Sequence, residues 1–432
     1  MKIMKKYPPW KLIILFALLS MSLQGCLGLG GGDTDYKSVT TGKNGDVKIN
    51  SQQAVFQGKI YFTLNRNLYM LDGKNKEHLM QLTKGMDVRD PAVSPNGKLI
   101  AFIIHYKDYS DLAYMPASGG KPTIIATGYG KFTPNGASVL STYHWFAQPA
   151  WDPDNEHIYF LGDNQKHYWN PALVGNYDAD ILDLQVFKMS IHDKELVTVD
   201  DMENAQAVAY TSIGAGGLRD PAYRPGHANE LVYTSYKYTP PDWSKLAIQI
   251  NIIDTNAIQN SIKQDANPYN PKYHPGVYAS EYDPGVSLTP EKADLTNMQP
   301  AFSPDGNTLI YVRREDATHM SLYTMPVVNG VTSDPNNPAF DPNSDANTKK
   351  GLSGYAQSTK LMTGQYISQP VWSPDGSQIV YYDYHDNLFD LWLAKIVKDP
   401  KTGAYSIDKN SITQLTQTNG NLDADSRAAW SR

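Results

Sequence analysis

One short pattern recurs five times along this chain and restricts it to architectures assembled from a repeating unit. A polar residue is followed by Pro-Ala or Pro-Val, an aromatic or aliphatic residue, a second polar residue, and then a Pro-containing turn. The copies are Asp90-Pro-Ala-Val-Ser-Pro-Asn-Gly97, Gln148-Pro-Ala-Trp-Asp-Pro-Asp-Asn155, Asp220-Pro-Ala-Tyr-Arg-Pro-Gly226, Gln299-Pro-Ala-Phe-Ser-Pro-Asp-Gly306 and Gln369-Pro-Val-Trp-Ser-Pro-Asp-Gly376. Each leads into a β-rich run: LIAFII from Leu99, HIYFL from His157, ELVYTS from Glu230, TLIYVRR from Thr308 and QIVYYDY from Gln378. Proline presets φ for the turn, Asp or Asn tolerates the left-handed region and Gly closes it, so each copy predicts two adjacent antiparallel strands.

A third strand is expected at Asn67–Asp72, Leu112–Ala117, Val186–Ile191, Ile248–Asp254, Leu322–Val327 and Leu391–Ile396. A fourth is expected around the Leu-Thr-like pairs at Leu82-Thr83, Ala126-Thr127, Leu288-Thr289, Met362-Thr363 and Leu415-Thr416. Four strands per unit is a propeller blade. The final residues, Ser426-Arg-Ala-Ala-Trp-Ser-Arg432, match only the opening strand of a repeat, while Gly58–Thr63 and Asn67–Asp72 lack one. The two fragments complete one blade, which makes six and removes the sheet edges an open array would expose. The expected fold is therefore all-β: a six-bladed β-propeller of four-stranded blades over residues 51–432, closed by the C-terminal strand pairing with the N-terminal blade.

The Pro-Ala-Trp-Ser-Pro-Asp-Gly pattern, the following I-Y-F-like strand and the later Leu-Thr pair resemble the repeat of TolB-type propellers, which also occurs in prolyl-oligopeptidase-like peptidases. The resemblance covers residues 51–432 and implies fold, not activity. TolB carries an α/β domain before its propeller; a tether is expected in that place here. The peptidases carry a separate hydrolase domain, for which residues 51–432 leave no room.

Ahead of the repeats, Lys2, Lys5, Lys6 and Lys11 precede the apolar run Leu12–Leu19, the layout of a signal peptide over residues 1–25. Leu23-Gln24-Gly25-Cys26 resembles the lipobox of bacterial lipoproteins, and Cys26, the one cysteine, is the expected lipidation site. Residues 26–50, rich in Gly, Ser, Thr, Asn and Asp, read as a flexible tether. The expectation is an exported, extracytoplasmic protein, lipid-anchored to the cell membrane or the outer membrane. With no internal disulfide available, its body must be stable through burial alone. A net charge of -6 without a basic block after the signal argues against nucleic acid as a partner.

No G-x-S-x-G elbow, HExxH or P-loop is present, and Ser212–Leu218 reads as a connection between blades. No cofactor and no metal site are expected. The residues before each repeat proline, Asp90, Gln148, Asp220, Gln299 and Gln369, together with Arg427 in the closing strand and the adjacent Arg89 and Arg219, are expected at one end of the central channel. They either dock a peptide or small polar ligand or tie down neighbouring backbone. The ten histidines are scattered; His144, just before the third repeat, is the one expected near the channel mouth. Oligogalacturonate lyases resemble this propeller type and hold a metal with histidines and a glutamine at such positions. Glutamines are present here, the histidines are not, and a metal-assisted polysaccharide lyase is the alternative to a non-catalytic binding or scaffolding propeller for a protein, peptide or glycan. A monomer is expected.

Successive repeat prolines are 58, 72, 79 and 70 residues apart, so the middle blades carry insertions. Tyr236–Pro290, with Tyr238–Trp243 and Asn267–Pro275, reads as a long aromatic loop for contacts or for covering blade edges. Asp341–Asn347, in the insertion 328–357, reads as a solvated turn.

Overall fold

The computed structural model describes residues 36–42, 45–129, 132–135, 138–141, 143–163, 167–169, 178–180, 184–193, 206–209, 216–239, 245–257, 285–333, 340–342 and 344–432. Cys26 and the segment Asn267–Pro275 lie outside them. Six antiparallel four-stranded sheets form the blades. Blade 1 joins Ala429–Ser431 to Lys59–Leu64, Asn67–Asp72 and Asn75–Gln81. Blade 2 is Asp87–Val93, Leu99–His105, Ser110–Pro116 and Thr123–Thr127. Blade 3 is Phe146–Trp151, His157–Gly162, Gln185–Ser190 and Gln206–Ala209. Blade 4 is Leu218–Tyr223, Glu230–Thr239, Lys245–Asp254 and Val286–Ser287. Blade 5 is Asn297–Phe302, Thr308–Arg314, His319–Pro326 and Thr359–Gln365. Blade 6 is Ser368–Trp372, Gln378–His385 and Leu388–Lys398, whose outer flank pairs with both Tyr405–Ile407 and Thr413–Gln414.

The ring closes as expected through the C-terminal strand, with Ile60 opposite Trp430 and Tyr61 opposite Ala429. The Trp430 indole donates to the carbonyl of Gln57 at 2.8 Å. Strand residues alternate between the two neighbours of their blade, as a period of two demands. Ile100, Phe102 and Ile104 pack toward blade 1, while Ala101 and Ile103 pack toward blade 3. Because both faces are covered, the strands read as nearly continuous apolar runs. The core is accordingly divided into six clusters, one between each pair of adjacent blades.

Each repeat residue has a structural task. Ser303 Oγ accepts from the Thr308 amide while Gly306, at φ 69°, closes the turn. The tryptophans cross to the preceding blade: Trp151 donates to Ala92 O at 2.8 Å and Trp372 to Ala301 O at 3.2 Å. The Thr of the Leu-Thr pair ends the outer strand by accepting a third-strand amide, Thr83 from Leu68, Thr289 from Ile250 and Thr416 from Leu391.

Three expectations change. The compact unit begins at Tyr36 rather than at residue 51: Lys48–Ile49 pairs with Thr416–Gln417, and Val39 N donates to Tyr69 Oη, so the last part of the proposed tether is bound to blades 6 and 1. The segment 236–290 is no single loop, since Glu230–Thr239 and Lys245–Asp254 form a ten-residue hairpin ladder; of the Tyr238–Trp243 motif, residues 240–243 fall outside the described residues. Finally, Asp341–Asn347 is no solvated turn. Ser344 caps a helix at Asp345–Leu352, and the buried Asn347 amide donates to Val331 O and Pro342 O. Gly351 of that helix lies against Val286 and Ser287, where a side chain would not fit.

Candidate functional site: the axial ring and cavity

The inner strand of every repeat slips register at the repeat proline, for instance between Arg89 and Ala92 and between Met298 and Ala301. Proline removes a ladder donor, so the strand bulges there, and a bulge re-aims side chains. The residue before it turns left-handed: Asp90, Gln148, Asp220, Gln299 and Gln369 have φ of 53°, 47°, 57°, 54° and 51°. The backbone amide of each is thereby presented to the adjacent blade.

The ring that results is a chain of side chain to backbone clasps. Gln148 N donates to Asp90 Oδ2 at 3.2 Å and Asp220 N to Gln148 Oε1 at 2.6 Å. Gln299 N donates to Asp220 Oδ2 at 3.2 Å and Gln369 N to Gln299 Oε1 at 2.8 Å. The closing strand enters differently, with Arg427 N donating to Asp90 Oδ1 at 3.1 Å and Asp90 N to Ser426 Oγ at 2.9 Å. Gln148 Nε2 and Thr234 Oγ1 also donate to Asp220. The Gln369 side chain has no hydrogen-bond partner among the described residues. Burial pushes the Asp90 carboxyl up from its ordinary value, and the nearby Arg427 charge opposes the shift.

Arg427 reaches across the axis, its guanidinium donating to Pro149 O at 2.9 Å and Pro221 O at 3.4 Å. It forms no salt bridge among the described residues. On one side of it lies a cavity of 680 Å³ lined by the repeat prolines, Trp151, Trp372 and the polar groups of Asp220, Gln299, Gln369 and Arg427. That volume is in the range of small-ligand sites.

The other end of the ring carries ion pairs. Arg89 binds Asp87 at 2.9 Å and Asp425 at 3.2 Å, and Arg66 binds Asp425 at 2.8 Å and Asp423 at 3.5 Å. Burial lifts Asp423 to about 6 and, with Arg89 beside it, lowers His105 to about 4. Arg219 donates to Leu218 O at 2.6 Å and lies over the Tyr236 ring at 5.6 Å. His144 takes no part in the ring: it is 1% exposed, and its Nδ1 lies 3.3 Å from Asp163, itself 1% exposed.

The structure thus links six of the expected residues in one chain of hydrogen bonds around the axis, from Arg427 through Asp90 to Gln369, sets Arg89 and Arg219 beside it, and leaves His144 apart. Sequence reading missed Ser426, Thr234, Asp87, Asp423, Asp425, Arg66 and Asp163. Ser426 was findable as the residue preceding Arg427; the others lie off the repeat motif and carry no periodic signal. Among the described residues no group of three or more His, Cys, Asp or Glu side chains is placed to hold a metal ion, and no helix is long and apolar enough to cross a membrane.

No family model matches the sequence, and no curated protein matches it. Among solved structures, the chain is similar to TolB from Acinetobacter baumannii, at 15% identity and TM-score 0.48 over 87% of this chain and 67% of that one. It is similar to an oligogalacturonate lyase in complex with manganese, at 13% identity and TM-score 0.41 over 78% and 69%. A third, putative TolB from Agrobacterium tumefaciens, shows 12% identity and TM-score 0.39 over 86% and 95%. These likenesses concern β-propeller structures.

Proposed function

We propose that this protein is an exported, surface-anchored binding propeller, held to a membrane by a lipid on Cys26 and docking a partner at its axis without catalysing a reaction. The observation that carries the reading is the axial cavity. Its frame is fixed by clasps linking the blades, and its floor holds polar groups that those clasps do not consume. Preorganisation of this kind lowers the ordering cost of binding, and a cavity with apolar walls and few polar groups orients a ligand.

Pull-down from a membrane extract of the native host tests it, comparing wild type with Gln369→Trp, which fills the floor at a residue that makes no side-chain clasp. Wild type is expected to retain a partner that the variant loses at unchanged melting temperature. Equal capture by both proteins refutes docking at the axis. For the anchor, Cys26→Ser is expected to move the protein from the membrane to the soluble fraction.

A further inference from the structure

The ring's donors and acceptors do not cancel around its circumference, and the remainder has a chemical signature. Asp90, Gln148 and Asp220 have every side-chain polar atom engaged: both Asp90 oxygens accept amides, Gln148 uses its oxygen and its nitrogen, and both Asp220 oxygens are engaged. On the opposite arc, Gln299 spends its oxygen on Gln369 N but its Nε2 has no partner among the described residues. Among the described residues the Gln369 side chain makes no hydrogen bond, and Arg427 spends one N–H on each of two neutral carbonyls and no other N–H of its fork. The surplus facing the cavity is a guanidinium that forms no salt bridge among the described residues, with the Asp90 carboxyl nearby, flanked by amide donors.

The walls supply the complement. The prolines at 91, 149, 221, 300 and 370 line the cavity and bring no N–H of their own, so the walls offer pyrrolidine rings and the donors come from Gln299, Gln369 and Arg427. The end of a polypeptide suits such a site, since its side chains pack on the rings while its polar terminus meets the donors. A fork-shaped guanidinium matches a carboxylate in geometry as well as charge.

We infer that the cavity receives the free C-terminal carboxylate of a polypeptide, seated on Arg427 and the amides of Gln299 and Gln369. This rests on the axial-docking reading above and specifies its ligand.

The test uses the full chain, immobilised and offered two pools of random hexapeptides, one with free carboxyl ends and one amidated, with trigalacturonate as a separate carboxylate-bearing probe. The acid pool is expected to be retained on the order of tenfold or more above the amidated pool, the scale of a charge-assisted pair. Arg427→Gln abolishes the preference and Arg427→Lys keeps part of it. Because Arg427 also contacts blades 3 and 4, Gln369→Leu serves as the second variant, expected to reduce retention severalfold at unchanged melting temperature. Equal retention of both pools, no retention of either, or Arg427-dependent binding of trigalacturonate in place of the peptides overturns the inference. Partner capture sensitive to Gln369→Trp alongside any of those results leaves axial docking standing and removes only the carboxylate.

Discussion

Two arcs of the same ring, built from the same repeat position, have been put to different uses. Asp90, Gln148 and Asp220 form the closed arc, where every side-chain polar atom is tied to a neighbouring blade. Gln299, Gln369 and Arg427 form the open arc, where polar atoms are left to the cavity. The left-handed backbone is common to the five pre-proline residues, so the difference lies in side-chain chemistry. A carboxylate at position 90 accepts amides from both adjacent blades at once; the glutamine at 369 accepts neither, because Arg427 N turns to Asp90 instead. The lesson is that one ring both fastens a propeller and furnishes a site, provided the fastening is concentrated on a few residues.

The comparison is broken most directly at Asp90. Asp90→Ala strands the amides of Gln148 and Arg427, and leaving buried donors unpaired costs about 1–3 kcal/mol each. Urea denaturation is expected to show a loss of about 3 kcal/mol; a loss below 1 kcal/mol would mean the closed arc does not fasten the ring. Next in size, Gln148→Ala frees Asp220 N and removes the bond to Asp220 Oδ1, for an expected loss of about 2 kcal/mol in the same assay.

A smaller effect concerns the ion pairs beside the closed arc. Burial lifts Asp423 to about 6, so between about pH 4 and 6 the folded chain holds a proton that the unfolded chain has released. That contribution to stability is fully present below about pH 4 and is lost as pH rises through 6. Asp423→Asn lacks the decline, so its stability relative to wild type is expected to improve as pH rises across the window. Parallel stability–pH curves would refute the assignment. The smallest expected change is in the open arc itself: Gln369→Ala should alter stability by no more than about 0.5 kcal/mol, because no side-chain bond is broken. A cost equal to that of Gln148→Ala would erase the distinction between the arcs.

The blades, their order and the closing strand were legible because Pro-Ala-x-x-Pro-Asp-Gly marks both a bulge and a turn, and because Ser426–Arg432 lacks the strands that Gly58–Asp72 possesses. The positions of the ring were legible for the same reason. Its division into arcs was not, since Asp90, Gln148 and Gln369 look alike as pre-proline polar residues, and which one accepts two amides depends on the approach of Arg427 in space. The helix Asp345–Leu352 was hidden by its Asp, Asn and Ser content, which favours turns locally; its packing over Val286–Ser287 decides the matter. Arg224 stands in the serine position of its repeat, yet it is fully buried and joined to Glu230, Gly306 O and Asn329. Nothing in the motif announces that substitution as a link to the next blade.

Joining Ala429–Ser431 to Lys59–Leu64 also sets a timetable. The sheet that begins at Lys59–Leu64 has a bare hydrogen-bonding flank until Ala429–Ser431 is made, some 370 residues later. Throughout that interval the flank is open to any passing strand, including its equivalent on another copy. Whatever escorts the nascent protein must therefore guard that flank until Ala429–Ser431 arrives.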